Sequence, residues 1–269
     1  MNTRSAPLWI ALAAVAGAAL PSAAAADSDD RLTFSGNASA LTGDHAGGGG
    51  AAGWIHNFTD STLFDVEGEY EALANAHWEF GSLSASTSFG PPGGKLSLSA
   101  EAHEGAGHIG TQPFDYRIEA AGIARSFGSQ LSLQAEDRQF DVDTTHGNLP
   151  KLGASFAWTP AIATGVAYAH TVAGNLGTNL LSVRIDTYST SLNWLAGAAF
   201  GTASPAVLNL ETGVVQPGKR LNEGFLGFAT PLSSGKLTVV ADYLDLAGIR
   251  RATLTVSYIF DLGAHGRPR

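Results

Sequence analysis

Apolar residues alternate with small or polar residues along most of the chain, in runs of about ten residues. In the clearest run, Phe64, Val66 and Tyr70 alternate with four acidic residues. A period of two is typical of β-strands whose two faces differ, and helical periodicity is nearly absent. Runs of the same kind lie near residues 32–40, 83–89, 96–102, 116–125, 131–136, 152–158, 166–168, 181–185, 192–200, 208–214, 225–232, 237–243 and 254–260. The pattern predicts an all-β chain.

The composition favours a membrane-spanning barrel over a soluble sheet protein. Only 14% of the 269 residues are charged, whereas an ordinary soluble domain has roughly 25%. Soluble sheets usually carry Lys, Glu, Asp and Arg on their wet face, but this chain fills much of that face with Ser, Thr, Gly, Ala and Asn. Such strands suit a barrel whose apolar face meets lipid and whose small polar face lines a lumen. A secreted soluble β-sandwich or β-solenoid is the alternative interpretation.

The number of runs sets the expected size of the barrel. About fifteen candidate runs are present, and single-chain bacterial outer-membrane barrels contain even numbers of strands. We therefore predict a single antiparallel transmembrane β-barrel of about fourteen strands over residues 27–262, with twelve to sixteen strands also compatible. An even number places both chain ends on one side of the membrane, which we expect to be the periplasmic side. The largest irregular segments, near 42–50, 104–114 and 140–150, are about ten residues each, so long loops that would plug the lumen are not expected. Residues 263–269 are expected to form a C-terminal tail.

The first 26 residues have the organisation of a secretory signal peptide. Arg4 supplies the positive charge, residues 8–20 form a short apolar core, and residues 24–26 form an A-x-A cleavage site. That core is too short for a typical membrane-spanning helix. We expect cleavage after Ala26 and export of the mature protein through the inner membrane to the outer membrane.

Eight charged residues are candidates for the lining of the lumen. A ladder of four carboxylates from Asp65 to Glu71 shares one strand face, with neighbours about 6 to 7 Å apart. In a channel such a ladder would attract cations and repel anions. The sequence equally supports a structural role, in which the ladder is a solvated polar face neutralised by residues on other strands, such as Arg117 or Arg125. Two pairs of opposite charge, Arg117 with Glu119 and Arg184 with Asp186, favour that structural role. The eight candidates are Asp65, Glu67, Glu69, Glu71, Arg117, Glu119, Arg184 and Asp186.

No segment carries a recognisable catalytic or metal-binding motif. His103 and His108 are five residues apart in a Gly-rich segment, whereas the zinc motif HExxH needs a spacing of four on a helix. The glycine run at 47–50 precedes no helix, so we interpret it as a flexible loop rather than a phosphate-binding loop. The chain has no cysteine and a formal net charge of −9, which argue against thiol chemistry and against nucleic acid as a partner. We expect no cofactor, no metal and no enzymatic activity.

The last run, from Thr253 to Phe260, is an amphipathic segment that ends in an aromatic residue and follows a turn containing Gly248 and Arg250. It resembles the closing strand of Gram-negative outer-membrane β-barrels, and the whole layout is similar to porin-like proteins and YaiO-type barrels. The resemblance implies that the outer-membrane assembly machinery recognises this strand. The chain departs from the pattern by continuing nine residues past Phe260, so the aromatic residue is not terminal.

A polar lumen predicts passage of small solutes or export of an extracellular polymer. The alternative is a non-conducting barrel, filled by side chains, that acts through its loops or through periplasmic partners. The width of the lumen separates the two, because roughly 8 strands leave room only for side chains and 16 to 18 leave a channel. The expected partners are outer-membrane lipid, the outer-membrane assembly machinery, a small solute or polysaccharide and, in a homo-oligomer, further copies of the chain.

Overall fold

The computed structural model describes residues 30–42, 45–73, 76–142, 145–174, 177–203, 219–246 and 249–262. The predicted signal peptide (1–26), the predicted tail (263–269) and the run at 208–214 lie outside these residues. No helix in the described segments is long and apolar enough to cross a membrane. These segments form fifteen strands: β1 (Asp30–Leu41), β2 (His45–Thr59), β3 (Thr62–Leu73), β4 (Ala76–Phe89), β5 (Leu96–Ile109), β6 (Gln112–Phe127), β7 (Leu131–Val142), β8 (Thr145–Thr159), β9 (Ile162–His170), β10 (Ala173–Gly174), β11 (Asn179–Thr187), β12 (Asn193–Ala203), β13 (Lys219–Leu232), β14 (Gly235–Leu246) and β15 (Ile249–Asp261).

Fourteen of these strands form one closed antiparallel sheet. Strands β1 to β9 pair in chain order, β9 pairs with β11, and β11 to β15 again pair in chain order. The remaining strand, β10, has two residues and pairs with β8. Closure satisfies the backbone N–H and C=O groups that lipid cannot pair. The predicted all-β, fourteen-stranded barrel is therefore confirmed.

The first and last strands meet at a seam that closes the barrel. Strand β1 pairs with β15 over eleven positions, from Arg31 opposite Asp261 to Leu41 opposite Arg251. The backbone N–H of Leu262 donates to the carbonyl oxygen of Asp30 at 3.1 Å, which extends the pairing to the end of the last strand. Both ends of the barrel chain thus lie at the same end of the barrel, which we call the terminal end; the opposite end is the loop end.

Tight turns connect most of the strands, and the segments that we interpreted as a flexible loop (47–50) and as irregular (104–114) lie mainly within strands. Gly47 to Gly50 lie inside β2 and pair with both β1 and β3. The segment at 104–114 forms the ends of β5 and β6, which meet at a turn where Gly110 adopts φ 60°. The loop predictions were wrong because glycine has no side chain to show alternation, whereas ladder hydrogen bonds need only the backbone. The strands therefore extend further toward the loop end than the side-chain pattern indicates.

The outer face of the barrel changes in character between its two ends. Near the terminal end it presents large apolar side chains, among them Phe89, Phe127 and Trp158, which are 54%, 45% and 62% exposed. Near the loop end it carries exposed carboxylates, for example Glu79 and Glu104. Charge facing hydrocarbon is costly. We infer that the apolar band lies nearer the terminal end and that the strands project beyond the hydrocarbon layer at the loop end.

Candidate functional site in the lumen

The four carboxylates of the acidic ladder share the lumen face of β3. Residues directly opposite each other in a ladder point to the same face. Glu71 pairs with Gly49 on β2 and with Trp78 on β4, and Trp78 is only 1% exposed. The outward residues of β3 include Val66 and Tyr70, which are 41% and 51% exposed. The alternation in the sequence thus places the ladder on one face, and the closed sheet turns that face inward.

Small residues on β2 leave space beside the ladder. Gly49, Ala51 and Gly53 are the β2 partners of Glu71, Glu69 and Glu67. A Cβ atom at Gly53 would lie 2.6 Å from the Thr33 hydroxyl oxygen and 3.2 Å from the Glu67 Cβ atom. A side chain at this position would therefore displace its neighbours. The glycine therefore lets the Thr33 and Glu67 side chains lie close to the β2 backbone.

Arg184 and Asp186 form an ion pair on the lumen face of β11. The Arg184 Nε atom donates to both carboxylate oxygens of Asp186, at 2.8 and 2.9 Å. The β9 partner of Arg184 is Gly165, where an added Cβ atom would meet only the Ala154 carbonyl oxygen, at 3.8 Å, so the guanidinium group has room beside the wall. Because each charge neutralises the other, this pair adds little net charge to the lumen.

Arg117 and Glu119 form an ion pair with each other on the outer face of β6. The inward residues of this strand are Tyr116 and Ile118, which are 2% and 4% exposed, whereas the Arg117 side chain is 65% exposed. The structure thus places this pair on the face opposite to the ladder, and not along the lumen. In most of the barrel the polar residues of a strand face the lumen and the apolar residues face outward. Near the loop end this arrangement is reversed, because the outer face is polar and the inner face consists of packed apolar side chains.

The lumen contains a second charged cluster, which the sequence alone does not reveal. Arg138 donates from Nε to Glu136 at 3.1 Å and from Nη2 to Glu101 at 3.4 Å. Lys151 lies 3.9 Å from Glu136, and His103 pairs with Glu101. These residues come from β5, β7 and β8, so their proximity depends on sheet register. The signal available in the sequence was the alternation of Glu136 and Arg138 with outward residues on β7.

The lumen face carries more carboxylates than cationic groups. Among the strand residues whose side chains the structure describes, the ladder register assigns ten acidic and six basic residues to this face. Arg251 lies 3.8 Å from Asp242 and interacts electrostatically with Glu71. The excess of negative charge is concentrated on β3, which contributes four carboxylates and no basic residue to this face. The acidic residues are Asp65, Glu67, Glu69, Glu71, Glu101, Glu136, Asp186, Glu223, Asp242 and Asp261, and the basic residues are Arg31, Arg138, Lys151, Arg184, Lys236 and Arg251.

Aromatic side chains on β4 and β6 lie beside the part of the acidic ladder nearest the loop end. Phe80 is the β4 partner of Glu69, and Gly105 on β5 lies between Phe80 and Tyr116. The ring centroids of Phe80 and Tyr116 are 5.5 Å apart in an edge-on arrangement. Trp78 lies next along the same face. The ladder and the aromatic rings together form a mixed acidic and aromatic wall.

A belt of solvent-excluded side chains narrows the lumen toward the loop end. Leu221 and Leu244, for example, are 0% and 1% exposed, and the register places both on the lumen face. Lumen-facing residues nearer the terminal end are mainly small and polar, such as Ser84, Ser99 and Ser257. The belt comprises Trp78, Phe114, Tyr116, Ile118, Phe140, Leu149, Leu180, Leu221 and Leu244. The lumen is thus lined by small polar side chains near the terminal end and by larger, solvent-excluded side chains near the loop end.

The geometry offers no ready place for a metal ion. Among the residues that the structure describes, no three His, Asp or Glu side chains converge as a metal site. His103 is engaged with Glu101 inside the barrel, whereas His108 stacks on His77 on the outer face. The two histidines therefore lie on opposite faces of the wall.

No family model matches the sequence, and no curated protein matches it. Solved structures match its shape. The CymD monoaromatic hydrocarbon channel aligns over 89% of this chain and 90% of its own, with 8% identity and a TM-score of 0.60. A FadL homologue of Pseudomonas aeruginosa covers 88% of this chain and 91% of its own, with 8% identity and a TM-score of 0.55. For the Acinetobacter baumannii outer membrane protein Omp33, the coverages are 86% and 98%, with 14% identity and a TM-score of 0.51.

Sequence identities this low show a common fold and nothing about function. The aligned lengths show that the likeness extends around the whole barrel rather than over a few strands. Such a fold supports an outer-membrane location. The chain has the fold of the Gram-negative outer-membrane β-barrel proteins.

Proposed function

We propose that the protein is an outer-membrane pore that admits small solutes and favours cations over anions. The observation that carries this proposal is the excess of carboxylates over cationic groups on the lumen face. The fold is shared with CymD, which is a channel. Export by the signal peptide at 1–26 and insertion by the outer-membrane assembly machinery complete the proposal, which includes no enzymatic role.

The distribution of ion pairs gives the charge preference its physical basis. Arg138 and Lys151 are held by Glu101 and Glu136, so that this side of the lumen is nearly neutral. No described residue forms an ion pair with Glu67 or Glu69. Unpaired charge in a low-dielectric wall focuses the field into the lumen and raises the local concentration of counter-ions. Cations should therefore enter more readily than anions.

The apolar belt limits the size of the solute. A side-chain layer that excludes water leaves no wide conduit at the loop end, so small solutes fit this lumen better than a bulky polymer. An anionic polysaccharide would in addition meet the carboxylates of Glu67 and Glu69. We therefore place small cationic or neutral solutes ahead of polymer export.

The same belt favours a second function, that of a non-conducting barrel acting through its loops or through partners. Leu221 and Leu244 are excluded from solvent, as expected for a lumen that is filled by side chains. The two functions differ in one measurable property, the passage of ions.

Single-channel recording of the mature protein in a planar bilayer tests the pore. With a tenfold KCl gradient, the proposed pore gives stable steps and a reversal potential of the sign for cation selectivity. The double variant E67Q/E69Q removes two charges without changing side-chain size and should move the reversal potential toward zero. The matched control is Glu119→Gln, since Glu119 lies on the outer face and its neutralisation should leave the reversal potential unchanged.

Two outcomes would overturn the proposal. A folded barrel that inserts but stays silent would favour the non-conducting function. Anion selectivity in the wild-type protein would show that the carboxylates do not control the pore. Heat-modifiable gel migration establishes in either case that the protein is folded.

A further inference from the structure

We propose that a groove on the outer face of β2 to β6 binds one phospholipid of the surrounding membrane, and that Glu79, Glu104 and Asp115 hold an ammonium group of its headgroup. The groove lies on the face of the wall opposite to the lumen, so the proposal does not depend on the pore.

The groove is an open depression of about 940 Å³ in the outer wall. Most of its lining residues face outward in the ladder register, among them Ala52, Gly68 and Glu104. All three are exposed. A ligand therefore has access to the groove from the membrane, without passing through the lumen.

Two glycines form the floor of the groove. Gly68 on β3 and Gly81 on β4 are opposite each other in the ladder. A Cβ atom at Gly68 would meet nothing within 4 Å, and one at Gly81 would meet only the Glu67 carbonyl oxygen, at 4.0 Å. The next outward residues toward the terminal end, Val66 and Leu83, carry large side chains that are 41% and 46% exposed. The glycines thus leave empty space beside an apolar surface, and strand glycines often mark a close approach by a ligand.

Three carboxylates line the end of the groove on β4 to β6. Glu79 and Asp115 lie on either side of Ala106 in the ladder, roughly 10 Å apart across two strand spacings. Glu104 belongs to the strand between them. In the part of the chain that the structure describes, none of the three forms an ion pair, and all are exposed. This end of the groove is therefore complementary to a cationic group.

Two further side chains fit the remainder of a phospholipid headgroup. Arg117 is the β6 partner of Glu104, and its side chain is 65% exposed. Its guanidinium group pairs with Glu119 but has five N–H donors, so it can also donate to a phosphate oxygen. Tyr70, which lines the groove, is 51% exposed. Exposed tyrosines of membrane proteins are enriched at the level of the lipid headgroups, so the groove crosses the boundary between hydrocarbon and headgroups.

The two ends of the groove together select the class of occupant. An acyl chain covers the floor at Gly68 and Gly81, while the ammonium group lies among the carboxylates. A lipid without an ammonium group leaves the negative charge of Glu79 and Asp115 uncompensated. A metal ion or a small polar cation leaves the apolar floor uncovered. A phospholipid with a primary ammonium group satisfies both ends.

Native mass spectrometry of the full mature protein in detergent micelles counts the lipid molecules that stay bound. The probe is dioleoyl phosphatidylethanolamine, and its control is dioleoyl phosphatidylglycerol, which has the same chains and phosphate but no ammonium group. The ethanolamine lipid should bind more tightly by about fivefold or more and saturate at one molecule per barrel. E79Q/E104Q/D115N should remove this preference. Asp245→Asn, on the outer face of β14, should retain it.

A matched pair of glycine substitutions tests the floor. Gly68→Leu fills the groove, and the open space in front of Gly68 lets the barrel accept the side chain. This variant should weaken binding of the ethanolamine lipid by about fivefold or more. Gly224 on β13 is also an outward glycine, and a Cβ atom there would meet only the Gly197 carbonyl oxygen, at 3.9 Å. Gly224→Leu lies outside the groove and should bind the lipid as the wild-type protein does.

Several results would overturn the proposal. They are equal binding of the two lipids, an unaltered preference in E79Q/E104Q/D115N, or equal effects of Gly68→Leu and Gly224→Leu. A wild-type protein that binds no lipid but forms dimers that Gly68→Leu disrupts would assign the groove to a second copy of the chain. Heat-modifiable gel migration establishes that each variant is folded. A silent barrel with the predicted lipid preference would remove the pore and support the groove, whereas a conducting barrel without that preference would do the reverse.

Discussion

The hydroxyl groups of Ser39 and Thr253 lie 3.1 Å apart across the barrel seam, although the two residues are 214 positions apart in the chain. Both side chains are buried, at 6% and 9% exposure. Their hydrogen bond joins β1 to β15 on the lumen face. This contact links the first and last strands through side chains as well as through the backbone.

The seam pair gives a prediction about stability. Ser39→Ala should lower the free energy of unfolding by about 1 kcal/mol, because the Thr253 hydroxyl group loses one partner and keeps its hydrogen bond to Asp242. The double variant S39A/T253V also takes a hydrogen-bond partner away from the Asp242 carboxylate and should be less stable than S39A. Urea unfolding in lipid vesicles, followed by tryptophan fluorescence, measures both. A double variant as stable as the wild type would contradict the prediction.

The Arg184–Asp186 pair gives a second prediction. Its side chains are 18% and 12% exposed, so an unpaired charge would be only weakly hydrated. Arg184→Gln should destabilise the barrel by about 3 kcal/mol because Asp186 loses the partner that neutralises it. The double variant R184Q/D186N should recover most of that loss. The same unfolding assay distinguishes a charge effect from a packing effect, since a pure packing loss would persist in the double variant.

Two strand glycines with different surroundings provide a matched pair. A Cβ atom at Gly107 would lie 2.6 Å from the carbonyl oxygen of His77 and from the Phe114 Cζ atom, whereas a Cβ atom at Gly68 would meet nothing within 4 Å. We expect Gly107→Ala to cost about 1 to 3 kcal/mol by overpacking. Gly68→Ala should be neutral or stabilise by about 0.5 kcal/mol through the unfolded state. Equal effects of the two substitutions would show that local space does not decide the outcome.

The apolar belt gives a prediction about conductance. Leu244 is 1% exposed on the lumen face, and its truncation to alanine removes bulk from the constriction. Leu244→Ala should therefore increase single-channel conductance while leaving the sign of selectivity unchanged. Leu254→Ala is the control, because Leu254 is 50% exposed on the outer face. Conductance that rises equally in both variants would place the narrowest point elsewhere.

The fold could be predicted from the sequence to a large extent, because alternation reports directly which residues share a strand face. The ladder from Asp65 to Glu71 lies on a single face for this reason. Alternation does not report which face is inward where both are polar or both contain apolar residues. On β6 the inward residues are Tyr116 and Ile118, and the ion pair of Arg117 with Glu119 lies outside.

Contacts between strands could not be predicted in the same way. The cluster of Arg138, Glu101 and Lys151 brings together residues from three strands, and a shift of register by one residue would move each side chain to the other face. Nor does the sequence show that Trp78 and Tyr116 are buried with unpaired donors. Those properties arise only when the sheet closes and brings side chains from distant strands together.

The backbone bond between Leu262 and Asp30 means that the ends of the barrel chain are neighbours. In the closed sheet each of the fourteen strands pairs with a neighbour on both sides, so the first and last strands differ from the others only in their position in the chain. A circularly permuted chain, joined across Leu262 and Asp30 and opened at the exposed turn that follows Phe127, would contain the same ring of strand pairs. Its last strand would then be β6, which ends in the aromatic residue Phe127. Such a permutant tests whether two roles of β15 are separable, because closure depends on the ring of strand pairs, whereas the recognition that we expect during assembly would depend on which strand comes last.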